Sequence, residues 1–160
     1  MHSSTTQNIS NKGFTLIEVL VVLGILTVVG SFSIIMGVDS YRGQLFRSDR
    51  DVLITALQHA RSQAVGNICL GSGCTGGKPH GVYISPDTYV MFQGTSYAAR
   101  DVAVDAVLDA TPSVIQSGIT EVVFKQLSGD VLTTGDIILT EENHVSTITI
   151  GSEGQIIWTN

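Results

Sequence analysis

The sequence predicts an α+β fold in which one long N-terminal helix packs on an antiparallel β-sheet domain. Three observations predict it. Residues 19–38 form a run of 20 residues without a formal charge, an apolar stripe with helical spacing follows that run, and several short strand-like segments occupy the C-terminal half. Only 14% of the residues are charged and the mean hydropathy is +0.31, so the composition excludes a disordered chain. Two cysteines are too few for a disulfide-dense fold.

The uncharged run is long enough to cross a lipid bilayer as a helix. At about 1.5 Å per residue, a helix of this length covers about 30 Å, the hydrocarbon thickness of a membrane. A cleaved secretory signal would have a shorter apolar region that ends in a small-residue cleavage site. A buried core helix would need a larger partner than the 122 residues that follow. We therefore predict a membrane helix.

Glu18 lies at the start of this apolar stretch. An ionised carboxylate within hydrocarbon costs at least roughly a few kcal/mol, so a buried Glu18 would need a partner and would indicate function. A Glu18 at the level of the lipid headgroups would simply be solvated. Periodicity alone leaves both interpretations open.

The residues Lys12-Gly13-Phe14-Thr15-Leu16-Ile17-Glu18 resemble the class III signal of type IV prepilins and of the related type II secretion pseudopilins. The likeness covers a short polar leader, Gly13, Phe14, an acidic residue five positions into the mature chain, and the long apolar run. It implies that a prepilin peptidase cleaves between Gly13 and Phe14 and methylates the new N-terminus of Phe14. It also implies that Glu18 pairs with the freed amine of a neighbouring subunit during assembly, which would remove two desolvation penalties together.

The helix is predicted to continue beyond the uncharged run, from about residue 14 to residue 65. One stripe with spacings of three and four contains Leu45, Asp49, Val52, Leu53, Ala56, Leu57, Ala60 and Ala64. Gly66 and Asn67 supply a stop. The predicted organisation is a cleaved leader at 1–13, a transmembrane or filament-core helix at 14–38, an amphipathic continuation at 39–66, and a β-rich periplasmic or extracellular domain at 67–160.

The β-rich part is predicted to begin with a hairpin, because residues 80–85 and 88–93 flank a Ser-Pro-Asp-Thr turn. Further strands are predicted at 120–127, 136–140, 146–150 and 155–159, and the last two form a second hairpin. Residues 94–117 show no clear period and are predicted as a connection with a helical turn near 102–108. One antiparallel sheet would then cover the second half of the helix.

A second resemblance concerns residues 57–64, LQHARSQA, which look like the A-R-S-x-A helix end of the H-type pseudopilins and their minor-pilin relatives. In those proteins a strand follows at once, as residues 67–70 would here, and a later strand is similar to residues 81–84. The alternative for Arg61 is a solvated cation near a helix C-terminus, where the helix dipole favours it. The likeness favours a minor pilin or pseudopilin.

Cys69 and Cys74 enclose the residues Leu-Gly-Ser-Gly. Outside the cytoplasm the favoured state is a small-loop disulfide that restrains the glycine-rich loop. Free thiols are one alternative, and a metal site that includes His80 is another. Zinc needs three or four ligands and no fourth is evident, so no metal is predicted.

No motif indicates catalysis or a bound cofactor. Residues 101–160 carry nine acidic residues and the single base Lys125, a net charge of −8 that disfavours nucleic acid. We therefore predict a structural, non-enzymatic subunit in the inner membrane, with its C-terminal domain outside the cytoplasm, and later in a pilus or pseudopilus. Its expected partners are the prepilin peptidase, other pilin or pseudopilin subunits, the inner-membrane assembly platform and the bilayer. The alternatives are a major subunit of a thin pilus and an anchored binding or adhesin domain that never polymerises.

Overall fold

The computed structural model describes the backbone of residues 13–159 and the side chains of that range except those of residues 32–39. Residues 1–12 of the predicted leader and Asn160 lie outside the described residues. The chain divides into two compact units, Met1–Tyr41 and Arg42–Asn160.

Helix α1 runs over Leu16–Val65, close to the predicted limits. Thr15 precedes it, and its hydroxyl oxygen accepts a hydrogen bond from the backbone N–H of Glu18, the capping interaction expected of threonine. At the other end Asn67 adopts the left-handed conformation (φ 55°), and the N–H of Ile68 donates to the carbonyl of Gln63. This is the Schellman arrangement that terminates helices, so the predicted stop is confirmed.

In the N-terminal unit, every side chain described from residue 13 to residue 31 is exposed. Within the described residues, no helix combines the length and the hydropathy that a membrane crossing requires. The transmembrane segment stays a prediction.

The first of two sheets contains β1 (His80–Ile84), β2 (Thr88–Gln93), β3 (Ala106–Asp109) and β5 (Glu121–Phe124). Its strand order is β3-β2-β1-β5, and every neighbouring pair is antiparallel. The predicted β1–β2 hairpin is confirmed. Ser85 closes the turn between β1 and β2, because the Ser85 hydroxyl donates to the carbonyl of Thr88 at 2.8 Å.

The second sheet contains β4 (Ile115–Gly118), β6 (Gly135–Glu141), β7 (His144–Ile150) and β8 (Ile156–Thr159). Its order is β4-β6-β7-β8, again antiparallel throughout. The predicted β7–β8 hairpin is confirmed.

The β-rich part differs from the prediction in the number of sheets and in the region 94–117. Two sheets form where one was expected. The connection predicted over 94–117 is wrong in that it contains β3 and most of β4, whereas the predicted helical turn near 102–108 is confirmed by the 3₁₀ turn Val102–Val104. A further 3₁₀ turn lies at Tyr97–Ala99. Both strands have four residues with mostly exposed side chains, so they lack the apolar alternation that identifies a strand in a sequence.

Two predicted strands near the sheets also need correction. No strand forms over residues 67–70, because the backbone N–H of Leu70 donates to the side chain of Gln93 and not to a neighbouring strand. The strand predicted over 120–127 is shorter, since Leu127 is left-handed (φ 68°) and breaks the extended conformation.

The core of the second unit is one apolar cluster to which α1 and both sheets contribute. From the predicted helix stripe, Asp49, Leu53, Ala56, Leu57, Ala60 and Ala64 are buried. Leu45 and Val52 are half-buried, and Phe46 is a buried residue outside the predicted stripe. The stripe meets buried residues of both sheets, namely Val82, Tyr89, Phe124, Ile137, Leu139, Ile148 and Ile150.

Candidate functional site

The predicted processing position lies in non-helical backbone immediately before α1. Phe14 is 83% exposed, and a side chain built at Gly13 would have no atom within 4 Å. Residues 13–15 have no regular secondary structure. The peptide bond between Gly13 and Phe14 therefore lies in an exposed, non-helical part of the described chain.

Glu18 lies in the first turn of α1, where the partial positive charge of the helix N-terminus favours a carboxylate. Its side chain is exposed, as are those of its apolar neighbours Ile17 and Val19. Among the residues that the structure describes, no cation and no hydrogen-bond donor contacts the Glu18 carboxylate.

The structure pairs Cys69 with Cys74 as a disulfide, with their Cα atoms 5.8 Å apart, a usual separation for such a bond. The buried side chain of Gln93 holds the loop between them at both of its amide atoms. Its Oε1 accepts from the N–H of Leu70 at 2.6 Å, and its Nε2 donates to the carbonyl of Leu70 at 3.3 Å. Oxidation of the two thiols in the exported protein stays a prediction.

His80 has a structural contact with the same loop. The ring is 1% exposed, and its Nε2–H donates to the carbonyl of Ile68 at 3.0 Å. Burial lowers the pKa of His80, a change that the Ile68 hydrogen bond opposes and the nearby His59 reinforces. Within the described residues, no group of three His, Cys, Asp or Glu side chains is arranged to hold a metal ion.

Arg61 connects the end of α1 to the turn between β7 and β8. Its Nη2 donates to the carbonyl of Glu153 at 3.1 Å. The Nε atom of Arg61 also lies against Gly154. A Cβ atom added at Gly154 would be 2.8 Å from this Nε and 2.1 Å from the carbonyl oxygen of Gly129. The interpretation of Arg61 as a solvated cation is wrong, because the side chain is half-buried against two glycines.

Asp49 is a buried acid to which the sequence assigned only a place in the helix stripe. It is 2% exposed; its Oδ2 accepts from the hydroxyl of Tyr89 and its Oδ1 from the N–H of Thr111, each at 2.6 Å. Gln116 in turn donates to the Tyr89 oxygen at 3.3 Å. Burial, and then the hydrogen bond to Asp49, raise the pKa of Tyr89. A charged residue within an otherwise apolar stripe was the signal in the sequence.

Comparison with protein families gives a match to the prokaryotic N-terminal methylation motif over residues 9–34. It covers the position of the Gly13–Phe14 bond, Glu18 and the first part of α1. Together with the α+β fold, the match supports a type IV prepilin- or pseudopilin-like protein. Comparison with curated proteins gives no match, and comparison with solved structures gives none.

The motif has consequences for processing and location. Proteins that carry it are structural subunits, and it implies processing by a prepilin peptidase and assembly with other pilins. It also indicates anchoring in the inner membrane before assembly.

Proposed function

We propose that this chain is a minor pilin or H-type pseudopilin that enters a type IV pilus or a type II secretion pseudopilus. A prepilin peptidase cleaves it between Gly13 and Phe14 and methylates Phe14. The chain acts by assembly and not by catalysis. The observation that carries the proposal is the methylation motif over residues 9–34, combined with an exposed Gly13–Phe14 bond in front of a helix.

The proposed membrane segment covers residues 14–38. The absence of formal charge over residues 19–38 supports it. The exposed apolar side chains from Phe14 to Val29 support it further, since contiguous apolar surface of this kind indicates a lipid or protein partner.

Glu18 is the proposed assembly residue. Its carboxylate has no partner among the described residues, and cleavage would create the matching cation at the amine of Phe14. In an environment of low dielectric the two charges would stabilise one another, whereas an uncleaved chain offers only a neutral amide. Cleavage would therefore permit assembly.

The proposal of a minor subunit rests on the A-R-S-x-A segment, and the contact of Arg61 with Glu153 gives that segment a structural role. Abundance in sheared filaments separates the possibilities. A minor subunit would be scarce there, a major subunit would dominate, and an anchored domain that never polymerises would be absent.

We propose further that Cys69 and Cys74 are oxidised, so the exported chain should be lighter than its reduced form by two hydrogens.

The first test is the N-terminal residue and intact mass of the full chain extracted from membranes, with and without an active prepilin peptidase. A chain that begins at methylated Phe14 is expected only when the peptidase is active. Gly13→Leu should block cleavage, whereas Gly24→Ala, at a second glycine with no atom within 4 Å of a built Cβ, should leave it intact. A chain that still begins at Met1 beside active peptidase would overturn the proposal.

The second test separates assembly from processing. Glu18→Gln should be cleaved and methylated normally but should enter filaments poorly. The matched control is Glu153→Gln, because the side chain of Glu153 is exposed and lies far along the chain. Equal incorporation of the two variants would exclude charge pairing by Glu18 as the assembly mechanism.

A further inference from the structure

Strand β8 forms one edge of the second sheet, with β7 on one side and, among the described strands, no neighbour on the other. The N–H of Gly151 donates to the carbonyl of Gln155 at 2.9 Å and closes the β7–β8 hairpin. Hydrogen-bonded and non-hydrogen-bonded pairs alternate along an antiparallel ladder. The next residue of β8 that bonds to β7 is therefore Ile157, and the backbone N–H and C=O groups of Ile156 and Trp158 point away from β7.

These outward backbone groups of Ile156 and Trp158 have no hydrogen-bond partner in the part of the chain that the structure describes. They form a row of two donors and two acceptors, with one residue between the two sets. An extended backbone presents its own N–H and C=O groups with the same two-residue period. A row of this kind is a template for an added strand, a recurring mode of peptide recognition.

The side chains of β8 leave apolar surface on both faces of this edge. Trp158 is the register partner of the buried Ile148, so it lies on the core face of the sheet, and yet it is 45% exposed. Ile157 lies on the opposite face and is 57% exposed. An added strand with apolar side chains would cover both residues, and tryptophan is enriched among the residues that dominate binding energies.

The two outer strands β3 and β8 differ in charge. Edge strands that stay unpaired often carry a charged side chain, which opposes the addition of another strand. Strand β3, an edge of the first sheet, carries the exposed Asp109. Residues 154–160, which contain β8, include no charged residue. At the turn before β8, Arg61 donates to the carbonyl of Glu153, and these two side chains have opposite charges, so they do not favour an ionic partner of either sign.

We infer that β8 accepts an extended, uncharged segment of a partner protein, with apolar side chains at alternate positions, as a further strand of the second sheet. Hydrogen bonds to the backbone of Ile156 and Trp158 would hold the segment, and the Trp158 ring would pack against its side chains. This partner site is additional to the proposed filament function and does not depend on processing at Gly13.

A second copy of this chain fits the edge less well than an uncharged segment does. Residues 67–160 contain ten acidic and three basic residues. Two copies of so acidic a domain repel one another as they approach, whereas an uncharged segment meets no such repulsion.

The fluorescence of Trp158 reports this edge directly, because the sequence contains a single tryptophan. The probe is acetyl-Thr-Val-Thr-Val-Thr-amide, added to the full chain in detergent. Its control is the same peptide with every backbone nitrogen of the five residues methylated, which keeps the side chains but removes the backbone donors. The first peptide should shift the tryptophan emission to shorter wavelength in a saturable manner, and the methylated peptide should not.

Three outcomes of this titration would overturn the inference. They are the absence of a saturable shift, an equal shift with the methylated peptide, which would exclude backbone pairing, and a shift that grows with protein concentration without any peptide, which would assign the edge to a second copy.

A proline variant tests the backbone of β8 itself. Proline is tolerated on an edge strand where the N–H faces away from the sheet. Ile156→Pro removes one outward donor without removing a bond to β7, so it should weaken binding of the unmethylated peptide several-fold. Ile156→Val keeps the N–H and should bind as the natural chain does. A folded Ile156→Pro chain that binds as tightly as Ile156→Val would contradict the inference, and if the proline variant does not fold, the comparison of the two peptides decides.

The matched control for this variant lies on the edge strand β3. The N–H of Ala110 donates to the carbonyl of Asp87, so by the same alternation the N–H of Val107 points away from β2. Val107 is also 59% exposed. Val107→Pro should therefore leave the fluorescence titration unchanged, and an equal weakening by both proline variants would contradict the assignment to β8.

Discussion

Leucines in the two halves of α1 have opposite environments. Leu20 is 56% exposed in the N-terminal unit, whereas Leu57 in the second unit is completely buried. Both belong to the same helix, so helix formation does not distinguish them. The difference is that the second half meets two sheets of its own chain, and the described side chains of the first half have no such cover. Contiguous exposed apolar surface of this kind is typical of a site that contacts lipid or another protein.

The most direct test of this difference is to truncate one leucine in each half of α1 to alanine. Leu57→Ala should lower the free energy of unfolding of the domain by about 2–5 kcal/mol, because it removes buried surface and leaves a cavity. Leu20→Ala should change it by less than about 0.5 kcal/mol, as is usual for exposed positions. Denaturant unfolding of the full chain in detergent measures both. Equal losses would mean that the first half also packs within its own domain.

The comparison extends to the acids of α1. Asp49→Ala should cost about 2–4 kcal/mol of unfolding free energy, because it leaves the buried Tyr89 hydroxyl and Thr111 N–H without their acceptor. Asp51→Ala is the neighbouring control. Its carboxylate is exposed and accepts hydrogen bonds from Arg50, so less than about 1 kcal/mol is expected. A small effect at Asp49 would show that water can replace the carboxylate as the acceptor for Tyr89 and Thr111.

The smallest expected effect is a dependence of the stability of the second unit on pH, and His80 is its cause. Burial lowers the pKa of the folded histidine, so the unfolded chain binds the proton more readily. The contribution of His80 to the free energy of unfolding is fully present above pH 6.5, the ordinary pKa of histidine, and is lost as the pH falls below that value. Urea midpoints at about pH 7.5 and about pH 5 should differ less in His80→Gln than in the natural chain.

The parts of the fold that the sequence predicted are those with a long or repeated pattern. The helix stripe extends over about five turns, and the β1–β2 hairpin has a proline-containing turn between two apolar runs. The strands β3 and β4 were not predicted, because four mostly exposed residues show no alternation of apolar and polar side chains. Division into two sheets depends on strand pairing across long separations, such as β4 with β6, which composition does not encode.

The sites differ in the same way. Gly13, Phe14 and Glu18 form a contiguous motif and could be read directly from the sequence. The contact of Gln93 with the disulfide loop could not, because Leu70 and Gln93 are 23 positions apart in the sequence. Asp49 likewise finds its partners 40 and 62 positions away, in Tyr89 and Thr111.

The contacts that hold the second half of α1 in the domain affect how the domain folds during synthesis. Arg42 pairs with Glu142, and Arg61 donates to the carbonyl of Glu153, 92 positions further along the chain. The ribosome makes the helix first and these acceptors last. Until Ile148 and Ile150 have emerged, the stripe that includes Leu53 and Leu57 has no complete cover. A nascent chain of this protein therefore carries an open apolar helix until β7 has been made, and the domain closes only after that point.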